Sequence, residues 1–70
     1  MLVANAVRIK ELRERLGLNQ KRLSEKAGLP ANAIFRIEAG TYTRTQDLRA
    51  RAIADALGCP LEEIFVKPSA

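Results

Sequence analysis

The pattern of apolar positions predicts a chain of helices, and glycines mark where the helices end. Ile9, Leu12 and Leu16 lie at i, i+3 and i+7, which gives the first helix one apolar face. Similar spacing recurs along the chain, and four of the segments are followed by glycine, which tolerates the left-handed conformation just past a helix. These glycines are Gly17, Gly28, Gly40 and Gly58. The sequence has no β-rich runs bounded by hairpin turns.

The periodic segments and their start signals predict five helices in an all-α fold. The predicted ranges are about 5–16, 20–27, 30–39, 45–57 and 60–66, within one domain that spans 1–70. Asn19 is predicted to cap the second helix, and Pro30 suits the first turn of the third. Either Thr43 or Thr45 is expected to cap the fourth helix, and Leu48 is assigned to the buried face of that helix.

Composition and charge limit the chemistry that such a chain can carry. The 70 residues include twelve Lys and Arg against eight Asp and Glu, so the net charge is +4 and the pI is about 9.8. A small domain with this charge often binds an anionic partner, although many mildly basic proteins bind none. With one cysteine and no histidine, neither an internal disulfide nor a structural zinc site is expected.

Several functional classes are disfavoured by what the sequence lacks. It has no histidine and no P-loop motif, so we expect no enzymatic activity, no metal and no small-molecule cofactor. Cys59 is interpreted as a small core residue, and the adjacent Glu62 and Glu63 as solvated carboxylates. The N-terminus has no signal-peptide pattern, and no run approaches the ~20 apolar residues of a membrane span. We expect a soluble cytoplasmic protein without a membrane partner.

Two stretches, LGLNQKRLSEKAGLPANAIFRIEAG and ALGCPLEEIF, resemble the lambda-repressor-like, Cro/Xre-type DNA-binding domains. The resemblance extends from about Val7 to Phe65. It implies a compact fold, here of five helices, in which helices two and three form a helix-turn-helix, and it implies double-stranded DNA as the partner. The residues that carry it are Gln20, Leu23, Ala27, Gly28, Ile34, Ile37, Glu38, Gly40, Ala56, Leu57 and Gly58.

The resemblance implies roles for individual residues. Ala31, Asn32 and Arg36 match positions of the recognition helix that read base edges, and Arg13 and Glu38 match a structural ion pair between helices one and three. Contacts to DNA phosphates are implied for Gln20 and for the loop of Thr41, Tyr42, Thr43 and Arg44. The free N–H groups at the start of the second helix and its basic character add Asn19 and Arg22 to the predicted phosphate contacts.

A helical wheel divides the third helix into two faces. At 100° per residue, Ile34 and Ile37 define a buried side, Asn32, Arg36 and Ala39 lie opposite, and Ala33 and Phe35 flank the exposed strip. Arg36 is suited to guanine and Asn32 to adenine in a DNA major groove, and Phe35 is suited to a thymine methyl group. Each residue also has an interpretation that does not involve DNA. Arg36 would be solvated or paired with an acid, and Asn32 would make no contact with DNA. Phe35 would pack against Tyr42 or be buried in a dimer.

The most specific prediction is a transcriptional regulator, in the simplest case a repressor, that binds a palindromic operator as a homodimer. Ile64, Phe65 and Val66 are the expected dimer surface, because a short helix is not expected to bury three consecutive apolar residues. One alternative is an antitoxin-type interaction module with secondary DNA binding, although little of the chain remains after Phe65 to bind a toxin. Another is the controller of a restriction–modification system, which the sequence does not separate from other repressors.

Overall fold

A computed structural model of the chain describes residues 1–41 and 44–68. In these ranges it contains five helices and three short strands. The helices are α1 (Ala6–Arg15), α2 (Gln20–Lys26), α3 (Ala33–Glu38), α4 (Asp47–Leu57) and α5 (Leu61–Ile64), and the strands are β1 (Leu2–Ala4), β2 (Arg44–Thr45) and β3 (Phe65–Val66). None of the described helices has the length and apolar character needed to cross a bilayer.

The three strands correct the prediction of an all-α fold. They form one antiparallel sheet in the order β2-β1-β3. The central strand β1 pairs with β2 on one side, where Leu2 is opposite Thr45. On the other side it pairs with β3, where Val3 is opposite Val66. Two of the strands have only two residues, and an alternating apolar pattern cannot be recognised over so short a run. The five-helix arrangement of a lambda-repressor-like domain is otherwise retained.

The core is built where the helices cross. Ile9 of α1, Leu23 of α2, Ile34 of α3, Ile53 of α4 and Ile64 of α5 are all fully buried. Each of the five helices therefore contributes at least one large apolar side chain to a single cluster. Because α2 and α3 are only about two turns long, they depend on this packing for their stability.

The end of α5 differs from the prediction in a way that concerns the expected dimer surface. Ile64 is fully buried and Phe65 is 2% exposed, whereas Val66 is 55% exposed. The chain leaves the helix at Phe65, which has φ −134° and ψ 145°. Side chains alternate between the two faces of a strand, so Phe65 turns inward and Val66 outward. The assignment of Ile64 and Phe65 to an exposed surface is therefore wrong.

Two predictions about α4 and one about α1 are also wrong. Thr45 does not cap α4, because the residue before this helix is Gln46. Thr45 is instead a buried residue of β2, and its hydroxyl has no hydrogen-bond partner among the described residues. Thr43, the other predicted cap, lies outside the described residues. Leu48 is 84% exposed, because it lies about 200° around the helix from the buried Ala50. Leu16, expected on the apolar face of α1, is also exposed and directly follows the last residue of that helix.

Candidate nucleic-acid interface

The α2–turn–α3 unit is organised by the end of α2. Gly28, which follows α2, has φ +74°, a conformation that glycine adopts without strain. The backbone N–H of Gly28 donates to Glu25 O at 3.0 Å, and that of Leu29 donates to Ser24 O at 2.9 Å. These bonds turn the chain sharply away from α2. They bring α3 across α2, as expected for a helix-turn-helix.

A buried ion pair joins α1 to α3. Arg13 Nε lies 2.7 Å from Glu38 Oε2, and Arg13 Nη2 lies 3.0 Å from Glu38 Oε1. The two side chains are only 10% and 7% exposed. Arg13 also donates through Nη1 to the carbonyl of Leu18 at 2.9 Å. The hydrogen bonds to Glu38 raise the pKa of Arg13 above its ordinary value, although burial acts in the opposite direction. The ion pair expected between these residues is thus present.

Gln20 is the third member of this network, a connection that the sequence analysis did not predict. Its Nε2 donates to Glu38 Oε1 at 3.0 Å, and its side chain is half-buried. The first residue of α2 is therefore tied to the last residue of α3. A glutamine at the start of a helix carries no signal that it will bond to a carboxylate eighteen residues away.

The residues predicted to contact bases lie together on the outer side of α3 and the turn before it. Ala31, Asn32, Phe35 and Arg36 are all exposed, Phe35 by 57%. Phe35 and Arg36 belong to α3, whereas Ala31 and Asn32 lie in the turn that leads into it. Ala33, which the wheel set beside this strip, is 4% exposed and belongs to the inner side. The alternative expectation, that Phe35 packs against Tyr42, concerns a residue outside the described part of the chain.

The predicted phosphate contacts flank this surface at the start of α2 and after α3. Asn19 caps α2 as predicted, because its Oδ1 accepts the N–H of Arg22 at 2.7 Å. Both residues are exposed, and so are Thr41 and Arg44, which follow α3 in the chain. Tyr42 and Thr43 lie outside the described residues. Each flank therefore contributes at least one exposed arginine, Arg22 or Arg44.

A further arginine, Arg49, joins the second flank. A cleft of about 190 Å³ lies between the end of α3, β2 and the start of α4. It is lined by Met1, Ile37, Arg44, Thr45, Gln46 and Arg49. Asp47 also belongs to this region, but its carboxylate lies 3.7 Å from the N-terminal ammonium group. Arg49 was not among the residues predicted from the sequence. Its position could have suggested a phosphate contact, because it is a basic residue in the first turn of the helix that follows the predicted phosphate loop.

A helix-turn-helix with an exposed second helix and arginines on both flanks defines a class of DNA-binding protein. Comparison with known families agrees: a helix-turn-helix family model matches residues 9–64. The chain therefore belongs to the Cro/Xre-type helix-turn-helix family of DNA-binding regulators, which confirms the membership predicted from its sequence.

Two individual proteins are similar to this chain. An uncharacterised HTH-type transcriptional regulator of Methanothermobacter thermautotrophicus is 41% identical over 59 residues, which cover 83% of this chain and 84% of that protein. The crystal structure of the restriction–modification controller protein C.AhdI from Aeromonas hydrophila is 28% identical, with a TM-score of 0.76. That similarity covers 83% of this chain and 86% of the controller protein.

Proposed function

We propose that the protein is a sequence-specific transcriptional regulator that inserts α3 into the DNA major groove and acts as a repressor by occupying a promoter. The observation that carries the proposal is the contrast between the two sides of α3. Its inner side is held by the network of Arg13, Glu38 and Gln20, while Asn32 and Arg36 are exposed on its outer side. Reading bases requires such a rigidly held helix with an accessible face.

Base recognition is assigned to the outer residues of α3 by their chemistry. The guanidinium of Arg36 matches guanine O6 and N7, and the amide of Asn32 matches adenine N6 and N7. Phe35 is suited to the methyl group of thymine, and the small side chain of Ala31 allows close approach to the groove. These contacts give a half-site of a few base pairs.

Phosphate contacts on both sides of α3 would fix the position of the helix in the groove. The proposed donors are Asn19, Gln20 and Arg22 on one side, and Thr41, Tyr42, Thr43 and Arg44 on the other. We add Arg49, because it lines the same cleft as Arg44. Gln20 would use donor capacity that its bond to Glu38 leaves available, since an amide nitrogen carries two N–H groups.

The protein is further proposed to form a homodimer through a contact surface that keeps the exposed Val66 of the expected one and excludes the fully buried Ile64. An apolar groove of about 360 Å³ runs beside Val66 and is lined by Leu2, Leu61, Glu62, Phe65, Val66 and Lys67. Val66 lines the groove and is 55% exposed, so two copies related by a twofold axis would each place a valine against the groove of the other. Glu62 and Lys67 carry opposite charges that would pair across the axis. A strictly monomeric species in sedimentation at tens of micromolar would exclude this dimer.

The decisive experiment is selection of bound sequences from random duplex DNA, followed by a test of Arg36→Ala. A palindromic consensus with half-sites about 34 Å apart would support a dimeric regulator. Arg36→Ala should weaken binding to the selected site by about 1–3 kcal/mol while leaving binding to random duplex nearly unchanged. The matched control is Arg51→Ala, which removes an exposed arginine that lines a different cleft with Cys59 and Pro60. Equal losses on both duplexes would mean that Arg36 contacts only the DNA backbone.

The likeness to a restriction–modification controller supports a second, narrower setting for the same activity. A controller would bind DNA beside the genes of a restriction–modification system, so the selected consensus should occur upstream of such genes. Absence of such genes near every genomic match would contradict this setting. In either setting we propose action on genomic DNA in the cytoplasm and no catalytic role. Burial raises the pKa of the Cys59 thiol, which disfavours the reactive thiolate.

A further inference from the structure

A backbone N–H in the first turn of α3 donates a hydrogen bond to a side chain of α2. Ser24 is fully buried, and its Oγ accepts the backbone N–H of Ile34 at 3.1 Å. The same hydroxyl donates to the carbonyl of Gln20 at 2.9 Å, so both of its hydrogen-bonding directions are occupied. An N–H in the first turn of a helix has no acceptor within the helix. It commonly donates to the side chain of the residue that precedes the helix. Here a serine from the neighbouring helix takes that role.

The residue that precedes α3 does not cap it. This residue is Asn32, a type that caps helices well, yet its side chain makes no capping bond. Its backbone has φ −99° and ψ 6°, whereas Asn19, which does cap α2, has φ −84° and ψ 172°. The extended ψ of Asn19 is typical of a capping residue. The different ψ of Asn32 keeps its amide out of the capping position.

We propose that Ser24 is a positioning residue for DNA reading: its hydroxyl caps α3 in place of Asn32 and so leaves the Asn32 amide available for a base edge. The hydroxyl also fixes the start of α3 against α2, because one oxygen bonds to both helices. The part of this proposal that concerns base reading rests on the proposed function. The capping arrangement itself can be tested without DNA.

The first experiment compares the stability of Asn32→Ala and Asn19→Ala and measures amide hydrogen exchange. Both variants replace the asparagine that precedes a helix of the same motif. Asn19→Ala should lower the urea midpoint, whereas Asn32→Ala should leave it unchanged. In the wild-type protein the Ile34 amide should be protected, and Ser24→Ala should speed its exchange by about tenfold. An unprotected Ile34 amide in the wild-type protein, or equal destabilisation by the two asparagine variants, would overturn the capping arrangement.

The second experiment measures binding to the duplex selected by the wild-type protein and to random duplex. Asn32→Ala should weaken binding to the selected duplex by about 5- to 100-fold, with little change on random duplex. Ser24→Ala, corrected for its folded fraction, should weaken the selected complex by about tenfold, also with little change on random duplex. Wild-type affinity of folded Ser24→Ala for the selected duplex would overturn the positioning role.

A variant that does not fold leaves the test intact. If Ser24→Ala is unfolded, Ser24→Cys can be used, because its thiol is a small polar group that accepts hydrogen bonds more weakly than a hydroxyl. Its losses in Ile34 amide protection and in affinity for the selected duplex should be smaller than those expected for Ser24→Ala. The exchange of Ile34 in the wild-type protein needs no variant at all. If the wild-type protein selects no sequence from random duplex, the proposed function fails, while the exchange and unfolding results still decide whether Ser24 caps α3.

Discussion

Two arginines on α1 each pair with a glutamate from a distant part of the chain, but in different surroundings. Arg13 pairs with Glu38 of α3, and the two side chains are 10% and 7% exposed. Arg8 pairs through Nη2 with Glu63 of α5, where the side chains are 29% and 33% exposed. One helix therefore anchors both the recognition helix and the C-terminal part of the fold, through ion pairs that differ mainly in their access to water.

The difference in burial decides what each pair does. A carboxylate removed from water is costly unless its oxygens are hydrogen-bonded, and both oxygens of Glu38 are bonded, to Arg13 and Gln20. Arg8 has a second acid within reach, since Glu11 Oε2 lies 3.8 Å from its Nη1. Its hydrogen bond to Glu63 raises the pKa of Arg8 above the ordinary value. Because this pair is partly exposed, we expect water and Glu11 to replace Glu63 if it is removed. Loss of a partner is thus severe at the inner pair and mild at the outer one.

The largest effect is expected for Glu38→Ala. It leaves the guanidinium of Arg13 buried without its counterion and removes the partner of Gln20 as well. Breaking a buried pair in this way costs about 3–5 kcal/mol, a large share of the stability of a small domain. The loss in the free energy of unfolding is measured by urea titration at low temperature, with circular dichroism as the signal.

The double variant Arg13→Met/Glu38→Leu is the control for this prediction. It removes both charges together and keeps apolar bulk at both positions, so it should lose much less stability than Glu38→Ala. A loss as large as that of the single variant would mean that packing around these side chains matters more than their charge.

A smaller effect is expected for Gln20→Ala. It removes one of the three hydrogen bonds to Glu38 and leaves the contacts of Arg13 intact. We expect a loss of about 1 kcal/mol in the free energy of unfolding, measured in urea. The control is Lys21→Ala, the adjacent exposed residue of the same helix, with an expected change within about 0.5 kcal/mol. If both substitutions cost the same, Gln20 does not contribute to the network.

The sequence predicted the inner pair better than it predicted the sheet, for physical reasons. Arg13 and Glu38 were assigned to each other through a family resemblance, because no local pattern links residues 25 positions apart. The helices followed from periodic apolar positions, whereas Leu48 was misassigned because it was grouped with the buried side chains of α4 although it lies about 200° around the helix from Ala50. Phe65 was misassigned because a helix and a short strand divide consecutive apolar residues differently between core and solvent.

The exposed face of α3 was predictable, and the way in which it is held was only partly so. Ile34 and Ile37 fixed the inner side by their spacing, so Asn32 and Arg36 fell on the outer side. The bonds that lock this orientation come from Ser24 and Gln20 on α2. A serine in a helix is ordinarily interpreted as a solvent-facing residue, and only the crossing of α2 and α3 shows that this one is buried.

The smallest effect is expected for Glu63→Gln at the outer pair. The substitution keeps the shape of the side chain and removes its charge, while the backbone bond from Asn5 N to Ile64 O at 2.8 Å continues to join α1 to α5. We expect a decrease in the urea midpoint smaller than that of Gln20→Ala at low salt. The decrease should vanish in 1 M NaCl, because the Debye length falls to about 3 Å and screens a partly exposed pair. Glu25→Gln is the control, since Glu25 is an exposed helical glutamate that makes no ion pair among the described residues. A decrease that persists in 1 M NaCl would show that the outer pair behaves as a buried one and that exposure does not separate the two arginines.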